Sequence, residues 1–252
     1  MAARDARDTL GLDKDAAHEL LPDLNKRLRD FQHRLYAEGT RTLLLVLQGL
    51  DAAGKDGVIR SVFAGINPQG CKVVSFKAPT ITELAHDYLW RVHAQLPARG
   101  ELGIFNRSHY EDIVAVRMWK LAPEEVWRRR AGHINEWERM LTDEGTTVVK
   151  VFLNVSKEEQ RLRLQERVDD PKKRWKFNRD DLEARRRFDD YIAAYEDALT
   201  ETSTEWAPWH VVPADRNWVK AVVVARLLVD AFDRIDPQFP PAEPGIEGLI
   251  VT

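Results

Sequence analysis

Between Asp15 and Ala37 the apolar positions are Leu20, Leu21, Leu24, Leu28, Phe31 and Leu35. Steps of three and four predict a helix with one buried face, and Gly39 marks its end. Five short apolar runs follow, at Thr42–Gln48, Lys72–Phe76, Leu102–Phe105, Thr147–Val155 and Trp209–Pro213. Helix-like stretches follow each of the first four, and the fifth leads into a helical pattern over Trp218–Phe232. Strands alternating with helices predict an α/β fold whose parallel sheet of about five strands is flanked by helices. The first and fourth runs are almost wholly apolar, as strands covered on both faces are. Residues 1–13 are polar without a period and read as a loose arm. Residues 236–252 carry Pro237, Pro240, Pro241 and Pro244 and read as an extended arm, with a neighbouring subunit as a surface it would cross.

The 252 residues fit one domain of this class. A net charge of −3 argues against bulk attraction to nucleic acid. Cys71 is the only cysteine, so no internal disulfide can form; it reads as a small apolar residue near a strand. No signal pattern opens the chain, and the apolar run at residues 42–48 is too short to cross a bilayer, so a cytoplasmic protein without membrane or nucleic-acid partners is expected.

The first strand changes this picture from fold to chemistry. Gly49-Leu50-Asp51-Ala52-Ala53-Gly54-Lys55-Asp56-Gly57 follows it at once, and Val58, Ile59, Val62 and Phe63 begin a helix. Strand, glycine loop and helix form a P-loop: backbone N–H groups of Gly49, Ala52, Ala53, Gly54 and Gly57 curl round phosphate oxygens, aided by the helix N-terminus. Lys55 adds a point charge. The usual hydroxyl residue after the lysine is Asp56, and Asp51 lies inside the loop. Carboxylates in an anion site call for a cation, so Asp51 is read as meeting Mg²⁺ or the attacking phosphate. Asp56 either joins it or merely complements the helix dipole.

Two further groups join the loop. Asn106-Arg107-Ser108-His109-Tyr110-Glu111-Asp112 follows the third strand, where ligand crevices lie. Asn106 can orient a water or phosphate, and Arg107 offers a planar fork; His109 reads as a hydrogen-bonded loop histidine rather than a base. From Lys157 to Arg187, twelve Lys or Arg face eight Asp or Glu, with a turn at Asp169-Asp170-Pro171. Two arginine-rich helical pieces round a turn predict a lid at about 157–187 that brings arginines onto the transferring phosphate, although any single one of them suits a solvated helix face. Trp175 within it is a candidate for base stacking, although most of the eight tryptophans suit core or interface. Arg60, Lys77 and Arg117 are candidate walls of a basic channel.

In order, the loop, Phe76-Lys77-Ala78-Pro79-Thr80, Phe105 to Asp112, Asp170-Pro171-Lys172-Lys173-Arg174-Trp175-Lys176-Phe177 and Ser203-Thr204-Glu205-Trp206-Ala207-Pro208-Trp209 resemble the polyphosphate kinase 2 family from about Leu10 to Asp236. The resemblance implies a thymidylate-kinase-like P-loop fold with a helical lid. It implies reversible transfer of phosphate between inorganic polyphosphate and nucleotides, with Mg²⁺ (or Mn²⁺), by a homo-oligomer, dimer or tetramer. Asp51, Lys55 and Arg107 would be its essential residues, Arg163, Arg167 and Lys176 of the lid would bind phosphate, Asp51 and Asp56 would hold the metal, and Asn106, Tyr110 and Glu111 would meet the nucleotide. Many members have Asp at Asn106 and Asn at Glu111. The pair found here is similar to the subgroup that phosphorylates nucleoside monophosphates as well as diphosphates, AMP and ADP or GMP and GDP. A nucleoside monophosphate kinase using ATP, against which Asp56 counts, and a non-catalytic nucleotide-binding P-loop protein are the alternatives.

Overall fold

In a computed structural model, which describes residues 4–251, the first helical pattern is α1 (Lys14–Glu38). Asp13 caps it by accepting from the Ala16 N–H, and Gly39 ends it in the left-handed region. The chain continues through β1 (Thr42–Gln48), α2 (Lys55–Val62), β2 (Cys71–Ser75), the single turns α3 (Ile81–Leu84) and α4 (Trp90–His93), and β3 (Leu102–Asn106). Next come α5 (Glu111–Met118), α6 (Glu124–Asp143), β4 (Thr146–Asn154), α7 (Lys157–Asp169), α8 (Asp180–Arg186) and α9 (Phe188–Thr202). β5 (Trp209–Pro213) and α10 (Asn217–Ile235) complete the order. The strands lie within a residue or so of the five apolar runs.

All five strands are parallel, in the order β2-β3-β1-β4-β5. Parallel pairing needs crossover helices, which cover the sheet on both sides. Leu43 to Leu47 of β1 are fully buried, with Leu45 level with Ile104 on β3 and Val149 on β4. Only β2, at an edge, alternates in exposure, and its Cys71 thiol is pushed up to about 11 by burial, which leaves it inert. α1, α2 and α10 make one helical layer, Phe31 stacking on Phe232 at 5.4 Å between ring centroids. α5, α6 and α9 make another. Because β1 sits between β3 and β4 and all three run parallel, the loops leaving them meet at the carboxyl ends of the central strands.

One cation breaks the apolar run of β4. Lys150 is fully buried, donating to Glu138 Oε2 (2.6 Å), the Tyr110 hydroxyl (2.9 Å) and the Thr202 carbonyl (2.7 Å). Glu138, equally buried, also accepts from the Tyr110 hydroxyl (2.8 Å) and faces His109 Nε2 (3.1 Å). The network ties β4, α6 and α9 to the segment entering α5.

The arms depart from expectation in part. The stretch read as a loose amino-terminal arm is pinned: the Arg4 carbonyl accepts from Asn154 Nδ2 (2.9 Å), and the Ala6 carbonyl from the Asp215 N–H (3.1 Å). Its polar side chains gave no period because backbone atoms make these contacts; residues 1–3 lie outside the described residues. Of the carboxyl-terminal arm, Gln238 bonds Glu38 and Phe239 meets His33 edge-on, beyond which the chain runs exposed; residue 252 is likewise outside the described residues. No helix among the described residues is long and apolar enough to cross a membrane.

Candidate active site

β1 ends at Gln48, and residues 49–54 turn the chain into α2. At Gly49 a Cβ would lie 2.9 Å from the Leu153 carbonyl oxygen; at Gly54, where φ is +103°, it would lie 2.3 Å from Lys220 Nζ. Neither position tolerates a side chain. Ala52 is left-handed without being glycine (φ 63°), which costs on the order of 1–2 kcal/mol; its carbonyl is held by Arg163 (3.0 Å). The backbone N–H groups of Asp51, Ala52, Gly54, Lys55, Asp56 and Gly57 donate to no acceptor among the described residues. They form a cradle of donors at a helix N-terminus, the arrangement that binds phosphate. One loop residue is corrected: the Ala53 N–H is spent on the Leu50 carbonyl (3.1 Å) and is not part of the cradle.

Charged groups converge on this cradle from three directions. Lys55 is buried and donates to the Gly49 carbonyl (2.6 Å) and the Leu50 carbonyl (3.2 Å). Burial first, then the Arg107 charge, push its ammonium down to about 8. Arg107, also left-handed (φ 63°), donates its N–H to the Leu47 carbonyl and its guanidinium to Asp51, with Glu111 Oε2 at 3.5 Å. Burial would raise the Asp51 carboxyl, but Arg107, Lys55 and Arg167 hold it below the ordinary range. Glu111 in turn raises Arg107 further, ahead of the opposing effect of burial. With its nitrogen toward Glu111 Oε1 (3.0 Å), the Gln48 amide orders that carboxylate from β1. Asp56 accepts from Asn106 Nδ2 (2.8 Å) and has Lys176 of the 157–187 segment at 3.8 Å. Arg167 of α7 meets Asp181 (3.2 Å) on α8. The structure thus brings together Asp51, Lys55, Asp56, Asn106, Arg107, Glu111, Arg167 and Lys176.

Other predicted residues stand elsewhere. Arg163 does not face the cradle: its guanidinium donates to the carbonyls of Ala52, Ala53, Ala214 and Asp215 and to Glu159, behind the loop. Tyr110 is not presented to a nucleotide; its hydroxyl is sealed in the Glu138–Lys150 network. His109 is there too and is structural, as read from the sequence. Arg117 lies apart from the cradle, paired with Asp197 (2.6 Å) and set over Trp127 beside a cleft of about 590 Å³. Arg60 and Lys77 are exposed, and their side chains make no hydrogen bond or ion pair with the described residues. Trp175 is 78% exposed on the turn before α8. Sequence reasoning missed Gln160, which donates to the Asp51 carbonyl (3.1 Å), and Lys220, which donates to the Ala53 carbonyl (2.9 Å). Only Lys220 carried a signal, a lone cation within Val219-Lys220-Ala221-Val222.

The carboxylates suit a sparsely held cation. Among the described residues no three of His, Cys, Asp and Glu gather as a metal cluster. Asp51 commits Oδ1 to Arg107 and leaves Oδ2 without a partner among those residues, and Asp56 is largely exposed. Mg²⁺ is characteristically bound by one or two carboxylates together with substrate phosphates, and this pair fits it.

Residues 11–240 match the family "Polyphosphate kinase 2 (PPK2)". The chain belongs to the polyphosphate kinase 2 family. Among its curated family relatives, an AMP/ADP-polyphosphate phosphotransferase of Meiothermus ruber is 56% identical over 238 residues, spanning 94% of this chain and 89% of the relative. An ADP-polyphosphate phosphotransferase of Rhodopseudomonas palustris is 45% identical over 92% of this chain and 84% of its own length. A crystal structure of polyphosphate kinase 2 from Arthrobacter aurescens TC1 superposes with a TM-score of 0.94 at 44% identity, covering 96% of this chain and 88% of the other. The five-stranded parallel sheet and its flanking helices are therefore the architecture of the polyphosphate kinase 2 family.

Proposed function

We propose that the chain transfers phosphate reversibly between inorganic polyphosphate and nucleotides, with AMP and ADP as acceptors. The cradle of unpaired N–H groups beside Lys55, Asp51 and Arg107 carries this reading, and the names of the relatives supply the substrate classes. The terminal phosphate of polyphosphate lies on the N–H groups of the loop, with Lys55 at its oxygens. An anionic oxygen of the acceptor phosphate attacks in line. A P–O bond forms to the terminal phosphorus as the anhydride bond to the rest of the chain breaks, and polyphosphate leaves one unit shorter. No proton has to leave the acceptor, so positioning and charge stabilisation carry most of the rate. Arg107 faces the transferring group, and Asp51 holds its guanidinium in place. Asp51 and Asp56 are the residues that would hold Mg²⁺, whose charge would screen the two phosphate chains. Lys176 and Arg167 bring the 157–187 segment over the loop, as a lid does.

The deciding experiment incubates purified protein, Mg²⁺ and polyphosphate with AMP, ADP, GMP and GDP separately and resolves products by chromatography. ADP and ATP arising from AMP support the reading. Turnover only when ATP replaces polyphosphate would refute it.

Lys55 sets the alkaline limb. Its charged form, which binds the anion, prevails below about pH 8 in the free protein. The ratio kcat/KM for polyphosphate is therefore expected to fall as pH rises past that value, approaching tenfold per pH unit. A flat profile between pH 7 and 9.5 would remove Lys55 from donor binding.

A further inference from the structure

In a planar trans peptide the C=O and N–H point in opposite directions. A group that binds a loop carbonyl from one side therefore aims the next residue's N–H to the other. The carbonyls of Asp51, Ala52 and Ala53 are bound by side chains that do not face the cradle: Asp51 by Gln160, Ala52 by Arg163, and Ala53 by Arg163 (2.9 Å) and Lys220 (2.9 Å). The amide that follows Ala53 is Gly54 N–H, one of the unpaired donors of the cradle. We propose that Lys220, on α10 and outside all the sequence motifs, is a positioning residue for the polyphosphate donor: from behind the loop it holds the Ala53 carbonyl and so aims the Gly54 N–H at the terminal phosphate.

Three observations carry this. Lys220 is 1% exposed yet places its Nζ where a Gly54 side chain would begin, so the loop glycine and the lysine occupy complementary space. Its second hydrogen bond goes to the Ala214 carbonyl (3.1 Å), which Arg163 also binds (2.8 Å), so α7, α10 and the end of β5 close one clamp behind the loop. Its charge is also unfavourable for the fold alone. Burial, then Arg163, push the ammonium down to about 7, against the raising effects of Glu159 and Asp215. The folded chain therefore resists this proton more than the unfolded chain does. The lysine costs stability at neutral pH and below, and the penalty shrinks as pH rises past 7. A residue serving packing alone would be apolar here.

The inference rests on the loop being the donor site, and the test separates the two. Wild type, Lys220→Met and Lys220→Ala are compared by thermal unfolding, by calorimetric titration with inorganic tripolyphosphate, and by steady-state kinetics with polyphosphate and AMP. Both carbonyls keep Arg163 when the lysine is lost, so Lys220→Met is expected to fold and melt no lower than wild type. Its tripolyphosphate Kd and polyphosphate KM are expected to rise about tenfold, with the AMP KM within twofold. An unchanged tripolyphosphate Kd in the folded variant overturns the proposal. Equal losses for polyphosphate and AMP, or failure of both variants to fold, overturn it as well, by making Lys220 a general structural residue. A wild type without affinity for tripolyphosphate overturns the donor reading itself and this inference with it.

Discussion

Asp51→Asn is expected to lower kcat on the order of a thousandfold, with the melting temperature nearly unchanged. The substitution keeps size and one hydrogen-bond acceptor, so the contact with Arg107 survives in shape while its charge is lost. Arg107 is then drawn toward its other partner, Glu111. The half-open position of the Asp51 side chain limits the stability lost with the ion pair to about 1 kcal/mol. Lys55→Ala is expected to match it in activity but to disturb the loop as well, because Lys55 also binds the Gly49 and Leu50 carbonyls. Single-turnover measurements with saturating polyphosphate and AMP, beside calorimetric melting, check both. Near-normal turnover by a folded Asp51→Asn protein would dispose of the mechanism.

The second large effect is on stability. Glu138→Leu is expected to destabilise the chain by about 3–5 kcal/mol, since it leaves a buried ammonium without its counter-charge. For a chain of this size that lowers Tm by roughly 10 °C. Lys150 would retain only the Tyr110 hydroxyl and the Thr202 carbonyl. Adding Lys150→Met is expected to restore most of the loss, because removing both charges removes the desolvation penalty with them. Calorimetric melting of the single and double variants decides this: a double variant no more stable than Glu138→Leu would show that packing, not charge, is what Glu138 supplies. The network also anchors His109 and Tyr110, next to Arg107, so activity should follow stability in the series.

How far the sequence could be read follows from where each signal sits. β1 and β4 were legible because strands covered on both faces must be apolar along their length, and the phosphate loop because its glycines fall between such a strand and a helix. The converging charges Asp51, Lys55, Arg107 and Lys176 could be named because each follows a strand or sits in the basic segment. The direction in which a side chain points could not. Arg163 and Arg167 lie one helical turn apart in the same basic stretch, yet one binds carbonyls behind the loop and the other faces Asp181 and the Asp51 charge. Tyr110 lies within the second motif but points into the core. Carbonyl partners leave no trace in residue type, so Gln160 and the pinned residues 4–6 were invisible. Lys150 and Lys220 were visible in principle. A single lysine inside an apolar run must find buried partners, and both do.

The pinning of residues 4–6 makes one end of the chain mechanically continuous with the reaction centre. Ala6 holds the Asp215 N–H, the Asp215 carbonyl holds Arg163, and Arg163 holds the loop carbonyls. Force or bulk applied ahead of residue 4 is transmitted along these three links to the phosphate cradle. Beyond Phe239 the described residues are exposed and make no such linkage. For immobilising the protein on a surface or fusing it to another enzyme, the carboxyl-terminal side is the end that leaves the cradle undisturbed.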